Sequence, residues 1–167
     1  MTHRDIASFA EIEPELRERV DRMVWACVAT IDTHSRPSTR LLHPIWEGQV
    51  CWIGTHRSST KRLHLERNPY VSLAWVSDFM HPVYVEAVAS WDNSAETRHH
   101  VWDLFLNTPE PLGYDPEPIF VSPDHENFGV LRIEPWKITL ATLAGDPWQK
   151  IWRKGDAPLG DAPPGTA

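Results

Sequence analysis

Residues 36–76 read RPSTRLLHPIWEGQVCWIGTHRSSTKRLHLERNPYVSLAWV, and this stretch decides the fold. Two apolar runs flank the acidic-glycine pair Glu47-Gly48, so Ser38–Trp46 and Gln49–Thr55 read as the arms of a hairpin. If the first arm is unbroken, Arg40, Leu42, Pro44 and Trp46 share one face. Pro44 has no N–H for a ladder and predicts an edge or a bulge, which would turn the faces over beyond His43. A short helix follows: Ser58, Ser59 and Thr60 suit its N-cap, and Asn68-Pro69 ends it. Val71, Leu73 and Trp75 then alternate with Ser72 and Ala74, the pattern of a strand.

Arg57, Lys61 and Arg62 crowd the start of that helix. Cations there face the positive end of the macrodipole at a cost of ~0.3–1 kcal/mol each, a sign that a bound phosphate would reverse. The alternative is that they turn into water, where screening makes the cost small. Arg40, in an otherwise apolar strand, needs an anion, either a carboxylate of the protein or the same phosphate.

Working outward, Ile12, Leu16, Val20 and Met23 recur at helical spacing, predicting a helix over Ile12–Met23 with a charged outer face. Trp25–Ile31 and Val83–Trp91 read as strands, and Phe128–Pro135 and Trp136–Leu143 as two closing strands. Ser94 caps a helix running to Leu106. Many β segments, short helices and no regular βαβ alternation predict a mainly β (α+β) fold, a closed or split β-barrel with short flanking helices. Residues 1–153 read as a single domain. Within it, 107–127 is a long proline-rich loop expected to form an ordered flap, because Leu112, Tyr114, Ile119, Phe120 and Val121 are poor residues to leave in water. Residues 154–167 have the composition of a flexible tail.

The 167 residues are 41% hydrophobic, enough for one substantial core, and the net charge of −7 argues against a general nucleic-acid binder. Cys27 and Cys51 fall inside apolar strand patterns and read as reduced thiols. With no signal-peptide pattern and no apolar run near ~20 residues, the chain reads as cytoplasmic, with no membrane anchor. His99 and His100 are adjacent and lack the i, i+4 spacing of metal ligands, so no metal site is expected. No glycine-framed nucleophile accompanies the Ser, His and Asp residues, and no triad is expected. Nine tryptophans exceed what a core of this size needs and suggest a ring-binding pocket or a subunit interface as well.

The runs ATIDTHSRPSTRLLHPIW, WIGTHRSSTKRLHLERNPYVSLAWV and VYVEAVASW, in that order, resemble the FMN-binding split β-barrel superfamily, often called pyridoxamine 5'-phosphate oxidase-like, over residues 15–145. The resemblance implies that Arg40, Thr55, Ser59, Thr60 and Lys61 bind the flavin phosphate. It extends the cofactor site to Leu41, Leu42, His43 and His56, with Trp46 nearby. It also implies a homodimer with the cofactor at the subunit interface, where Trp148, Trp152 and Arg153 would reach the partner's flavin. The implied activity is FMN-dependent hydride transfer to or from a small organic substrate. Related barrels use the deazaflavin coenzyme F-420, and a non-catalytic flavin carrier or sensor is a further alternative. A haem-binding barrel would need an axial histidine, for which His43, His56, His64 and His81 are available. True pyridoxamine phosphate oxidases carry a C-terminal arginine-histidine element. Here that region reads WQKIWRKGDAPLG, with no histidine after His125, so that reaction is not expected.

Overall fold

The computed structural model describes residues 2–155. The expected tail therefore lies outside the described residues from Asp156 onward. In chain order the elements are β1 (Thr2–Ile6), α1 (Phe9–Met23), β2 (Ala26–Ile31), β3 (Pro37–Leu42), β4 (Pro44–Glu47), β5 (Val50–His56), α2 (Lys61–Arg67), β6 (Tyr70–Trp75), β7 (Val83–Trp91), α3 (Ala95–Asn107), α4 (Glu117–Phe120), β8 (Phe128–Thr142) and β9 (Trp148–Arg153). Strands dominate and the helices flank them, the mainly β class read from the sequence.

The stretch 38–46 is not one strand. It breaks at His43, as the missing N–H of Pro44 requires. β3 pairs antiparallel with β2, whereas β4 pairs with β5, Glu47 standing opposite Val50 across a turn in which Gly48 takes a left-handed φ of 56°. This break makes the barrel. The ladder runs β1-β9-β8-β7-β6-β2-β3, β5 joins β8 separately, and the chain itself carries β3 into β4. The circuit β2, β3–β4, β5, β8, β7, β6 thereby returns to its start, split where His43 interrupts the hydrogen bonding.

Residues 128–142 form one strand rather than two. Pro135 sits at a register shift where Glu86 pairs with Lys137 and Ala87 with Pro135, leaving Trp136 as the extra residue of a bulge. A proline there marks a bend, not an end. The first half of β8 pairs with β5 and the second half with β9. β9 and its parallel neighbour β1 were not foreseen from the sequence.

Two cores result. The barrel interior is filled by residues such as Val28, Trp46, Cys51, Ile53, Leu73, Val85 and Ile133 and closed by the Phe9, Ile12, Leu16 and Val20 face of α1. A second cluster lies on the other face of β4, β5 and β8, where Ile45, Trp52, Phe128 and Val130 meet Val101, Trp102 and Phe105 of α3 and Leu112 and Phe120 of the 107–127 segment. That segment, expected above to form a flap, is tied to the end of α3 by the Tyr114 N–H donating to the Phe105 carbonyl. Gly113 allows the close approach, since a Cβ there would sit 1.7 Å from the Thr108 carbonyl oxygen. Leu112 and Phe120 are buried, but Ile119 and Val121 remain exposed.

Candidate functional site

β2, β3 and α2 converge on a cationic corner. Arg40 and Ser38 on β3 lie opposite Val28 and Thr30 of β2, so their side chains share a face with Thr30. Arg40 donates from Nη1 to Thr30 Oγ1 at 2.8 Å and from Nη2 to Ser38 Oγ at 2.9 Å. Thr30 Oγ1 also lies 2.8 Å from His64 Nδ1 on α2. Because the arginine can only donate, the threonine hydroxyl is free to give its proton to the imidazole. One turn earlier on α2, Lys61 is 5% exposed and donates from Nζ to Ser59 Oγ at 2.6 Å.

The corner therefore holds a buried lysine and a half-buried arginine whose protein partners are hydroxyls. Among the described residues, neither Arg40 nor Lys61 forms an ion pair with a carboxylate. Burial, and then the charge of Arg40, push the Lys61 ammonium down to about 8. Burial likewise lowers the Arg40 pKa from its usual value. Buried charge without a counter-charge is costly, and a phosphate is the group whose charge and acceptor oxygens fit this donor set. The helix terminus contributes little here, since α2 has only seven residues and Thr60 makes no side-chain cap.

Two residues along β3, about 7 Å at the rise of a strand, an apolar pocket of about 420 Å³ opens. Trp25, Leu41, Leu42 and His43 form one wall, Gly54, Thr55 and His56 of β5 a second, and Pro111, Tyr114, Ile119 and Phe120 of the flap a third. The break in the barrel strand puts His43 where all three meet. Its Nε2–H donates to the Leu112 carbonyl at 2.7 Å, and its ring lies 4.8 Å from that of Tyr114 and 5.1 Å from Trp25, centroid to centroid. Burial lowers the His43 pKa against the opposing pull of the Leu112 carbonyl, and burial raises the Tyr114 phenol to about 12. His56 packs its ring 5.0 Å from Phe120.

Of the residues singled out from the sequence, Arg40, Ser59 and Lys61 thus come together in the corner, and Leu41, Leu42, His43, Thr55 and His56 line the adjoining pocket. Thr60 is exposed beside Ser59. Trp152 is not brought to either place: it is 4% exposed and packs edge-on against Phe9, 5.4 Å between centroids. Trp46 is also core, its ring tilted against that of Trp75 with 6.3 Å between centroids. Arg153 pairs with Asp5, and the exposed His99 and His100 pair with Asp124 and Glu47. No metal-binding group of three ligands occurs among the described residues. Thr30 was missed as a neighbour of Arg40, and His64 had been named only as an available haem ligand. Thr30 lies in the strand opposite Arg40, and only the β2–β3 register reveals the pairing.

The sequence profile of the family described as pyridoxamine 5'-phosphate oxidase matches residues 12–142. No curated protein matches significantly. Among solved structures, a pyridoxamine 5'-phosphate oxidase-related, FMN-binding protein from Nostoc punctiforme superposes with a TM-score of 0.67 at 16% identity, covering 90% of this chain and 94% of that one. An F420 reductase superposes at 0.53 with 13% identity, covering 73% and 94% of the two chains. The haem storage protein HutZ from Vibrio cholerae gives 0.57 at 20% identity, covering 74% and 89%. At these identities the superpositions establish a shared fold, and the profile match over most of the sequence places the chain in the pyridoxamine 5'-phosphate oxidase-like, flavin-binding family.

Proposed function

We propose that the protein is an FMN-dependent oxidoreductase acting on a small organic substrate, working as a homodimer with the cofactor at the subunit interface. The observation that carries this reading is the buried Lys61 with the half-buried Arg40 near it, both with only hydroxyl partners, next to an apolar pocket of about 420 Å³ that begins at Leu41 and Leu42 of the same strand as Arg40. Arg40, Lys61 and Ser59 hold the phosphate, with Thr55 and Thr60 beside them. Leu41, Leu42 and His43 wall the ring. When bound, the flavin supplies hydride transfer.

The chain's own residues position and enclose. Arg40 is oriented by Thr30 and Ser38, so its fork is fixed before an anion arrives, which lowers the ordering cost of binding. The flap excludes water from the ring face, and the Leu112 carbonyl holds the His43 imidazole in one tautomer. A deazaflavin reductase is the second reading, supported by the likeness to the F420 reductase, because the same corner suits the phosphate of either cofactor. Cys27 and Cys51 are free thiols, in keeping with a reducing, cytoplasmic setting. No helix among the described residues is long and apolar enough to cross a membrane.

The test is to titrate purified protein separately with FMN and with the deazaflavin, following fluorescence quenching and the visible spectrum. Tight FMN uptake abolished by Arg40→Ala with Lys61→Ala supports the proposal. Selective deazaflavin uptake moves it to the second reading, and uptake of neither ends both.

A further inference from the structure

The pocket that adjoins the cationic corner has a chemistry of its own. None of its lining residues is an aspartate, glutamate, lysine or arginine. Its flap wall is Pro111, Tyr114, Ile119 and Phe120, and the ring pairs Tyr114–His43 and Phe120–His56 stand on two of its sides at 4.8 and 5.0 Å between centroids. Flat apolar walls of this kind favour a planar conjugated molecule by burial and ring contact.

The hydrogen-bond polarity of the two histidines is fixed by their neighbours. A carbonyl only accepts, so the Leu112 oxygen fixes the proton on His43 Nε2 and leaves Nδ1 of the neutral ring as an acceptor. At His56 the polarity is set through Asn127. The Ser58 backbone N–H donates to Asn127 Oδ1 at 3.1 Å, which identifies that atom as the oxygen and Nδ2 as the amide nitrogen. Asn127 Nδ2 then donates to His56 Nδ1 at 3.1 Å, leaving His56 Nε2 as the protonated nitrogen and a donor. The pocket thus combines apolar walls with neutral polar groups, among them a fixed donor on His56, a fixed acceptor on His43 and the Thr55 and Tyr114 hydroxyls, and its lining carries no fixed charge. An anion entering it would lose its hydration without meeting a cation, since Arg40 and Lys61 are committed to the cofactor phosphate.

Resting on the reading of the corner as a flavin phosphate site, we propose that the substrate is a neutral, planar, conjugated compound bearing a hydroxyl or carbonyl oxygen. It sits against the flap wall with that oxygen accepting from His56 Nε2–H. Phosphorylated and carboxylated small molecules are rejected there.

Naphthol and its carboxylate counterpart naphthoate are a matched pair of probes. Each is titrated near neutral pH into FMN-loaded protein, following the perturbation of the flavin absorbance, after the FMN content has been measured. Naphthol is expected to bind at least about tenfold more tightly than naphthoate. His56→Phe keeps a ring against Phe120 but removes the donor, and should weaken naphthol about fivefold when the variant is compared with the unaltered protein at matched FMN content. Ile119→Lys places a cation on an exposed position of the flap wall and should move the preference toward naphthoate. Equal or tighter naphthoate binding to the unaltered protein, or an Ile119→Lys variant with the preference unmoved, overturns the proposal while leaving the cofactor reading intact. Failure to take up FMN overturns the cofactor reading, and this one with it.

Discussion

Arg19 and Lys61 are equally buried cations, at 6% and 5% exposure, yet they are handled in opposite ways. Arg19, on the core-facing side of α1, donates to the Glu15 carboxylate, the Ala141 carbonyl and Thr142 Oγ1, and Glu15 is bound in turn by Lys150. Those partners hold the Glu15 carboxyl below its ordinary range despite the opposing effect of burial. Lys61 has one hydroxyl and a neighbouring arginine. In the first cluster a carboxylate of the protein meets the buried cation, and the cluster joins α1 to β8 and β9. The second is left with net positive charge, the arrangement expected where the missing charge arrives with a ligand.

The comparison breaks most visibly on removing each cation. Arg40→Ala with Lys61→Ala deletes two charge-assisted donors and should lower FMN affinity at least about a hundredfold, equivalent to about 3 kcal/mol, without lowering the stability of the cofactor-free protein. Fluorescence titration and thermal melts read the two quantities separately. An unchanged affinity would place the phosphate elsewhere. Arg19→Met should do the reverse, lowering stability by about 2 kcal/mol because its hydrogen bonds to β8 and to Glu15 are lost, with FMN affinity unmoved. A melt that is unaltered in Arg19→Met would mean that the α1 cluster is not structural.

The same contrast explains what could be read from the sequence. Arg40 and Lys61 announced themselves because each stood in a local pattern that penalises it, an apolar strand and a helix start. The barrel was legible because alternation in β2, β5, β6 and β7 is a local signal. What escaped depends on register. Thr30 and His64 join the corner only through the β2–β3 pairing and the packing of α2, and β1 forms only by lying beside β9, over a hundred residues away. Trp152 was expected at the partner's flavin from the resemblance alone, and within its own chain β9 buries it against Phe9. The double role of His43, at the strand break and as anchor of Leu112, follows from a proline effect that was visible and a flap contact that was not.

Acidity sharpens the comparison further. A lysine held near 8 in the free protein loses its proton as pH rises through that value, whereas a bound phosphate would keep it charged, so the free energy of binding falls off above about pH 8. FMN affinity should therefore be roughly level from about pH 6.5 to 7.5, where the phosphate is largely dianionic, and about tenfold weaker at about pH 9. Lys61→Arg, whose guanidinium stays charged, should flatten that decline. A wild-type affinity unchanged at the higher pH would show that Lys61 does not meet the anion.

The smallest effect concerns the cofactor-free protein and has the opposite sign from ordinary core substitutions. Lys61 is harder to protonate when folded than unfolded, so below its folded value near 8 the charged side chain opposes folding. Between that value and the unfolded lysine range near about 10.4 the unfolded chain binds more protons, and stability rises with pH. Lys61→Met keeps the chain length and the burial while removing the charge. The variant should melt about 2–4 °C above the unaltered protein near neutral pH, and the advantage should shrink as pH rises through 8 toward the unfolded range. With FMN bound the order should invert, because the wild-type lysine then has its counter-charge and the methionine has nothing to offer it. A variant less stable than wild type in both states would make Lys61 a structural residue like Arg19, and the corner would lose its distinction from the cluster beneath α1.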